Sequence, residues 1–273
     1  MRSSGRVLGA VVVLVLLLAG LGLAADRYDL PTRALQRFVW TPTALPPTPT
    51  ATATPAPWAP VLVSLVTEDG LTLAATYFPP MEQAVRVPGL VLLHEAFGVR
   101  QSWQPFALAA QQAGFAVLVP DFRGHGASLG EQVFDGALDY DFEATLAWIQ
   151  KRPEVDAQRV AVAGASLGAS IALRGAARHP EIRAVAMLSP GTLLWQVDAR
   201  PAITDYGQRP LLLAVAEEDA YPLASCRQLG EQALGSVRLL TYPGSAHGTA
   251  LLRDEAELFE ELLAWLAEGV SVE

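Results

Sequence analysis

Three stretches of this chain carry residue types that act together in acyl transfer. Gly164-Ala165-Ser166-Leu167-Gly168 sets a hydroxyl between two glycines, Ala216-Glu217-Glu218-Asp219 supplies carboxylates, and Tyr242-Pro243-Gly244-Ser245-Ala246-His247-Gly248 supplies an imidazole. A serine hydroxyl is a poor nucleophile at neutral pH unless a base takes its proton and a third group orients that base. Ser166 is the expected nucleophile and His247 the expected general base. Asp219 is chosen as the orienting acid, because the third residue past a strand end can turn back over the sheet; Glu217 and Glu218 stay open as alternatives. The other histidines read differently. His179 follows a helical stretch and precedes Pro180, a place for a solvated or helix-terminal charge. His94 and His125 flank the site loops and are read as structural hydrogen bonders.

Such residues work only if a scaffold brings them together, and the hydrophobic pattern from Val61 onward describes one. Short runs rich in Val, Leu and Ala alternate with longer amphipathic stretches, the pattern of strands joined by helices. Strands are expected over 61–66, 71–78, 89–94, 115–120, 159–164, 184–188, 210–216 and 237–242. Helices are expected over 103–113, 138–150, 167–178, 222–234 and 254–267. The first two strands, joined around Asp69-Gly70, read as an antiparallel hairpin. The later ones are almost continuously apolar, as strands buried on both faces are. The expected fold is therefore α/β: a three-layer sandwich with a mostly parallel sheet of about eight strands and helices on both faces. Ser166 then falls where a strand ends and a helix begins, at a sharp turn that lifts the hydroxyl above the sheet edge. Only about twenty residues separate strands 184–188 and 210–216, so little or no cap domain is expected. Within that segment Leu193, Leu194 and Trp195 suit either an acyl pocket or a helix packed on the sheet.

On these motifs the chain from about Val61 to its end resembles the α/β-hydrolase superfamily. The elbow, the acid segment and the histidine loop follow that family's order, serine then acid then histidine. Asp121-Phe122-Arg123-Gly124-His125-Gly126-Ala127-Ser128 is similar to its D-x-R-G-H-G-x-S loop. The loop His94-Glu95-Ala96-Phe97-Gly98 is similar to that of the dienelactone hydrolase branch, which typically uses a cysteine nucleophile where this chain has Ser166. The resemblance implies an oxyanion hole formed by the backbone N–H groups of Ala96 and Leu167, with Arg123 and His125 shaping their loop. It also implies a serine hydrolase that cleaves carboxylic esters through an acyl-enzyme. Glu95 is expected to tune the nucleophile or meet the substrate, with a pairing to an arginine such as Arg123 as the alternative; Phe97 and Trp195 are further candidates for substrate contact. A peptidase or amidase with the same three residues remains an alternative, as does a non-catalytic surface binding protein on the same scaffold.

Composition narrows the partners. The 273 residues, half of them apolar, can bury a large core, and a net charge of −9 offers no basic stripe for nucleic acid. A small-molecule ester or amide is the expected partner, and the oligomeric state is left open. The single cysteine, Cys226, permits no intramolecular disulfide and suggests a small buried residue; no metal or organic cofactor is expected. Residues 7–25 form an apolar run after Arg2 and Arg6, about 28 Å long as a helix and so able to span a bilayer. A cleaved signal peptide ending at Gly22-Leu23-Ala24 is the alternative. Residues 41–60 are dense in Pro and Thr and read as a linker, reaching about 60 Å if extended. The expected plan is a transmembrane anchor or signal peptide over 1–25, a juxtamembrane segment and linker over 26–60, and an α/β-hydrolase domain over 61–273. It places the catalytic domain outside the cytoplasm, membrane-anchored through the N-terminal helix or secreted if that segment is cleaved.

Overall fold

Leu90 and Leu92 pack into a core on one side of a strand, Val91 and Leu93 into a core on the other, and all four are fully buried. A strand that is apolar on both sides needs cover on both, and this requirement sets the layers. The computed structural model describes residues 56–82 and 85–271. The elements up to the elbow are β1 (Val61–Val66), β2 (Thr72–Phe78), β3 (Val87–Leu93), a 3-10 turn (Arg100–Trp103), α1 (Gln104–Gln112), β4 (Ala116–Pro120), α2 (Leu138–Gln150) and β5 (Val155–Ala165). Beyond it come α3 (Leu167–Arg178), β6 (Ile182–Leu188), β7 (Leu193–Leu194), β8 (Val197–Asp198), α4 (Arg200–Tyr206), β9 (Leu211–Ala216), α5 (Ala220–Gln232), β10 (Val237–Tyr242), α6 (Ala250–Asp254) and α7 (Ala256–Gly269).

Eight strands form one sheet in the order β1-β2-β4-β3-β5-β6-β9-β10. The pairings β1–β2 and β2–β4 are antiparallel and the others parallel. Phe106 of α1 and Leu258 and Leu262 of α7 fill the core on the Leu90 side; Phe142 of α2, Ile171 of α3 and Leu229 of α5 fill the other. Each such side chain, fully withdrawn from water, contributes about 2 kcal/mol. The mostly parallel, three-layer α/β sandwich is thus as the hydrophobic pattern predicts.

Two stretches differ from the pattern. The stretch 254–267 divides at Glu255, whose extended backbone (φ −122°, ψ 92°) separates α6 from α7. Between β6 and β9 the chain forms a two-residue ribbon, β7 with β8, and the seven-residue α4. Both are too short for periodicity to register. No cap domain stands between β6 and β9, as the spacing predicts.

The expectation of a membrane anchor is corrected. Among the described residues no helix is long and apolar enough to cross a membrane. The run over 7–25 and most of the 26–60 segment lie outside the described residues. Membrane attachment and an extracytoplasmic address therefore have no support and drop out of the account of function.

Candidate active site

β5 delivers Ser166 to the carboxyl edge of the sheet. Leu93 pairs with Gly164 and Ala165 with Leu188, so the exits of β3 and β6 flank the turn that follows β5. Strand order reverses between β3 and β5, and in open parallel sheets ligands bind outside the carboxyl ends at such a reversal. Ser166 has φ 49° and ψ −113°. This conformation costs on the order of 1–3 kcal/mol and persists only where the surroundings enforce it. Here its N–H donates to Leu188 O at 2.8 Å and its carbonyl accepts from Ala169 N at 3.0 Å. The flanking glycines supply space. A Cβ on Gly168 would lie 2.5 Å from the carbonyl oxygens of Leu93 and His94, and one on Gly164 would lie 2.3 Å from Gly168 O. Helix α3 thus starts against the bare backbone leaving β3.

Asp219 follows β9 at the start of α5, and His247 follows β10. Asp219 Oδ2 and His247 Nδ1 are hydrogen-bonded at 2.6 Å. The neighbouring carboxylates point elsewhere. The N–H groups of Glu217 and Glu218 donate to Tyr242 O at 2.8 Å and Gly244 O at 2.9 Å, and both residues are exposed. They extend the pairing of β9 with β10, and only Asp219 turns to the imidazole. Gly248 N donates to Ser189 Oγ at 3.0 Å. A Cβ on Gly248 would lie 3.5 Å from that of Ala165 and 3.6 Å from that of Glu95, so the histidine loop rests on both the elbow and the β3 loop. Acid and base are in contact and the serine is beside their loop; no hydrogen bond joins Ser166 Oγ to His247.

The β3 loop is held from below by His94, which is fully buried. Phe122 N donates to its Nε2 at 3.0 Å, so the proton sits on Nδ1, which donates to Glu95 O at 2.7 Å. Burial pushes the ring down to about 4 and keeps it neutral. Glu95 C=O and Ala96 N–H belong to one planar peptide, so fixing the carbonyl fixes the direction of the N–H. Neither Ala96 N–H nor Leu167 N–H donates to another group among the described residues. Glu95 Oε1 accepts from Thr249 Oγ1 at 2.8 Å, while Oε2 is buried without a partner. Its alternative partner is engaged elsewhere: Arg123 pairs with Asp69 at 2.8 Å and Asp141 at 2.7 Å. Those bonds to Arg123 hold Asp69 down at about 2. Asp121 pairs with Arg100 and accepts from the N–H groups of Arg100 at 2.7 Å and Ala127 at 2.9 Å.

Phe97 and Trp195, the apolar candidates, meet above this floor, joined by a residue that motif reading misses. Phe134, from the loop between β4 and α2, stacks on Trp195 with ring centroids 4.3 Å apart. It shares its loop with Phe122 and belongs to no motif, and only its distant partners reveal it. Ser189 is a second such residue, buried at the end of β6 with φ 47°. His179 binds Glu143 and Glu181 away from the site, and Cys226 is buried, its thiol pushed up to about 12 by desolvation. Among the described residues no group of three or more His, Cys, Asp or Glu could hold a metal ion. A cleft of about 640 Å³ opens at the amino edge of the sheet near Pro180, Gln208 and Trp265 and touches none of the site.

A sheet of this order, with an elbow after β5 and acid and histidine loops after its last two strands, defines an α/β-hydrolase. The chain belongs to the dienelactone hydrolase family, whose model matches residues 73–262, and it is a hydrolase. It is 27% identical over 251 residues to an uncharacterised protein of Mycobacterium tuberculosis, a match spanning 85% of this chain and 87% of that one. An esterase of Pyrococcus furiosus shares the fold at a TM-score of 0.66 and 17% identity, over 78% of this chain and 94% of its own. A dienelactone hydrolase of Anabaena variabilis does so at 0.62 and 24%, over 77% and 95%.

Proposed function

We propose that the protein hydrolyses carboxylic esters through an acyl-enzyme on Ser166. Ser166 Oγ attacks the ester carbonyl carbon as His247 Nε2 takes its proton, and Asp219 stabilises the imidazolium through Nδ1. The tetrahedral oxyanion is met by the N–H groups of Ala96 and Leu167. His247 returns the proton to the departing alcohol, and water, activated by the same imidazole, then releases the acid. The 2.6 Å contact between Asp219 and His247, at the sheet edge where Ser166 sits in its enforced turn, carries this reading. Bonds from nucleophile to base are often long before substrate binds and tighten in the complex. Glu95 acts on the hydroxyl's surroundings or on a polar group of the substrate, since a buried carboxylate oxygen without a partner is costly unless something else meets it.

A fluorophosphonate probe tests the reading. Ser166 is expected to carry the label in the folded protein, with labelling and ester turnover both lost in Ser166→Ala. An unlabelled Ser166 with intact folding would overturn it and leave a binding protein on a hydrolase scaffold. Methyl esters are expected to turn over and peptide anilides of the same acids not; the reverse preference would make the protein a peptidase.

A further inference from the structure

We propose that Phe97, Phe134 and Trp195 form a subsite for an aryl group of the substrate, an inference that rests on the ester hydrolase reading above. The rings come from three loops. Phe97 follows Ala96 in the β3 loop, Phe134 precedes α2, and Trp195 sits at the turn between β7 and β8. Phe134 and Trp195 stack at 4.3 Å with their planes 25° apart. Phe97 stands edge-on to both, at 5.3 Å and 79° from Phe134 and 6.1 Å and 81° from Trp195. The result is a corner whose two walls are nearly perpendicular. A flat ring set into it meets one wall face-on and the other edge-on, both arrangements that the aromatic quadrupole favours. A puckered saturated ring of the same size gains contact area alone.

Exposure and backbone strain argue that Phe97 and Trp195, which frame the half-buried Phe134, do not serve the fold. Phe97 is 74% exposed and Trp195 53%, so neither is core. Trp195 is the first central residue of a two-residue turn, since Leu194 pairs with Val197, and its φ is 50°. Glycine is favoured there, and a bulky side chain at positive φ is an outlier that local structure must enforce. The enforcing contacts are present. Tyr221 OH donates to Leu193 O at 2.7 Å and accepts from Leu193 N at 3.0 Å, which clamps the ribbon. Gln196 N donates to Phe134 O at 3.2 Å, tying the ribbon to the second loop. The same contacts place the corner beside the chemistry: Tyr221 is two residues from Asp219, and Phe97 is next to the expected oxyanion donor Ala96.

Matched esters test the inference with the protein intact. Methyl phenylacetate is compared with methyl cyclohexylacetate, and benzyl acetate with cyclohexylmethyl acetate, so that the ring is carried once on the acid and once on the alcohol. In one pair the aryl member is expected to have a roughly three- to tenfold higher kcat/KM, expressed in KM, the size of one aromatic pairing. The ratio should fall to about one in Trp195→Ala and in Phe97→Ala. Because it is taken within each variant, loss of folded enzyme cancels. A ratio near one in the unaltered protein for both pairs, or one unchanged in both variants, overturns the subsite. Phenylacetamide and cyclohexylacetamide titrated against Ser166→Ala by tryptophan fluorescence read the same preference without turnover. An aryl preference there with no hydrolysis anywhere sustains the subsite and sinks the esterase; hydrolysis with no preference does the opposite.

Discussion

At the floor of the site the atoms have no room to differ. Ser166 is 7% exposed, His94 is fully buried, and Gly168 lies against two carbonyl oxygens that no Cβ could clear. At the rim Phe97 and Trp195 stand mostly in solvent on loops, held by a few hydrogen bonds and by one another. Backbone position governs the floor; side-chain surface governs the rim. Change is therefore tolerated unequally: the elements that would place a nucleophile and an oxyanion donor are also fold elements, whereas those that would recognise a substrate can vary without unfolding it.

The largest effect is expected at Asp219, where the floor meets solvent. Asp219→Asn is expected to lower kcat about 10³- to 10⁴-fold by presenting the wrong hydrogen-bonding partner to His247, and to slow fluorophosphonate labelling in parallel. Full activity in that variant would transfer the role to Glu217 or Glu218, despite their outward direction.

Next in size is Gly168→Ala. The added carbon must displace the exit of β3 or the start of α3, at a cost of roughly 3 kcal/mol in urea unfolding. Phe97→Ala at the rim should cost less than about 0.5 kcal/mol, as exposed substitutions do. Similar values for the two would erase the distinction between floor and rim.

The buried imidazole gives the floor a pH signature. His94 titrates near 4 in the fold against 6.5 for an unperturbed ring. Between those values the unfolded chain binds more protons than the folded one, so stability rises with pH across the window and is fully present above 6.5. Acidification from 6.5 to 4 should remove on the order of 3 kcal/mol through this group. Urea midpoints for the unaltered protein and His94→Gln, measured across that range, should show a shallower slope for the variant; parallel slopes would mean that other groups carry the acid sensitivity.

The smallest effect sharpens the account of the rim. Trp195→Ala keeps a strained backbone and loses the stack on Phe134, whereas Trp195→Gly relieves the strain as well. The glycine variant is expected to be more stable than the alanine variant by up to about 1 kcal/mol, with equal loss of aryl preference. Equal stability would show that the turn holds no strain.

Much of the floor was legible because its signals are local. G-x-S-x-G at a strand-to-helix junction and a histidine after the last strand each sit within a few residues, and they single out Ser166 and His247 as candidates before any folding. Asp219 was legible only as one of three neighbours, since direction depends on how Glu217 and Glu218 continue the pairing with the β10 exit. The contact of Glu95 with Thr249 was out of reach, since the two are 154 residues apart, and the alternative arginine, Arg123, is claimed by Asp69 and Asp141. The membrane anchor read from an apolar run found no support either, a reminder that hydropathy gives a length and not a location.

The layers, the strand-helix order and the residue types at the sheet edge follow from the amino-acid pattern alone, because periodicity and turn chemistry are written in neighbouring residues. That Phe97, Phe134 and Trp195 meet in one corner, and that His94 orients the peptide of Ala96, depends on the packed fold. Those contacts join residues from separate loops, whose approach is fixed by the register of β3, β5 and β6 and by no pattern along the chain.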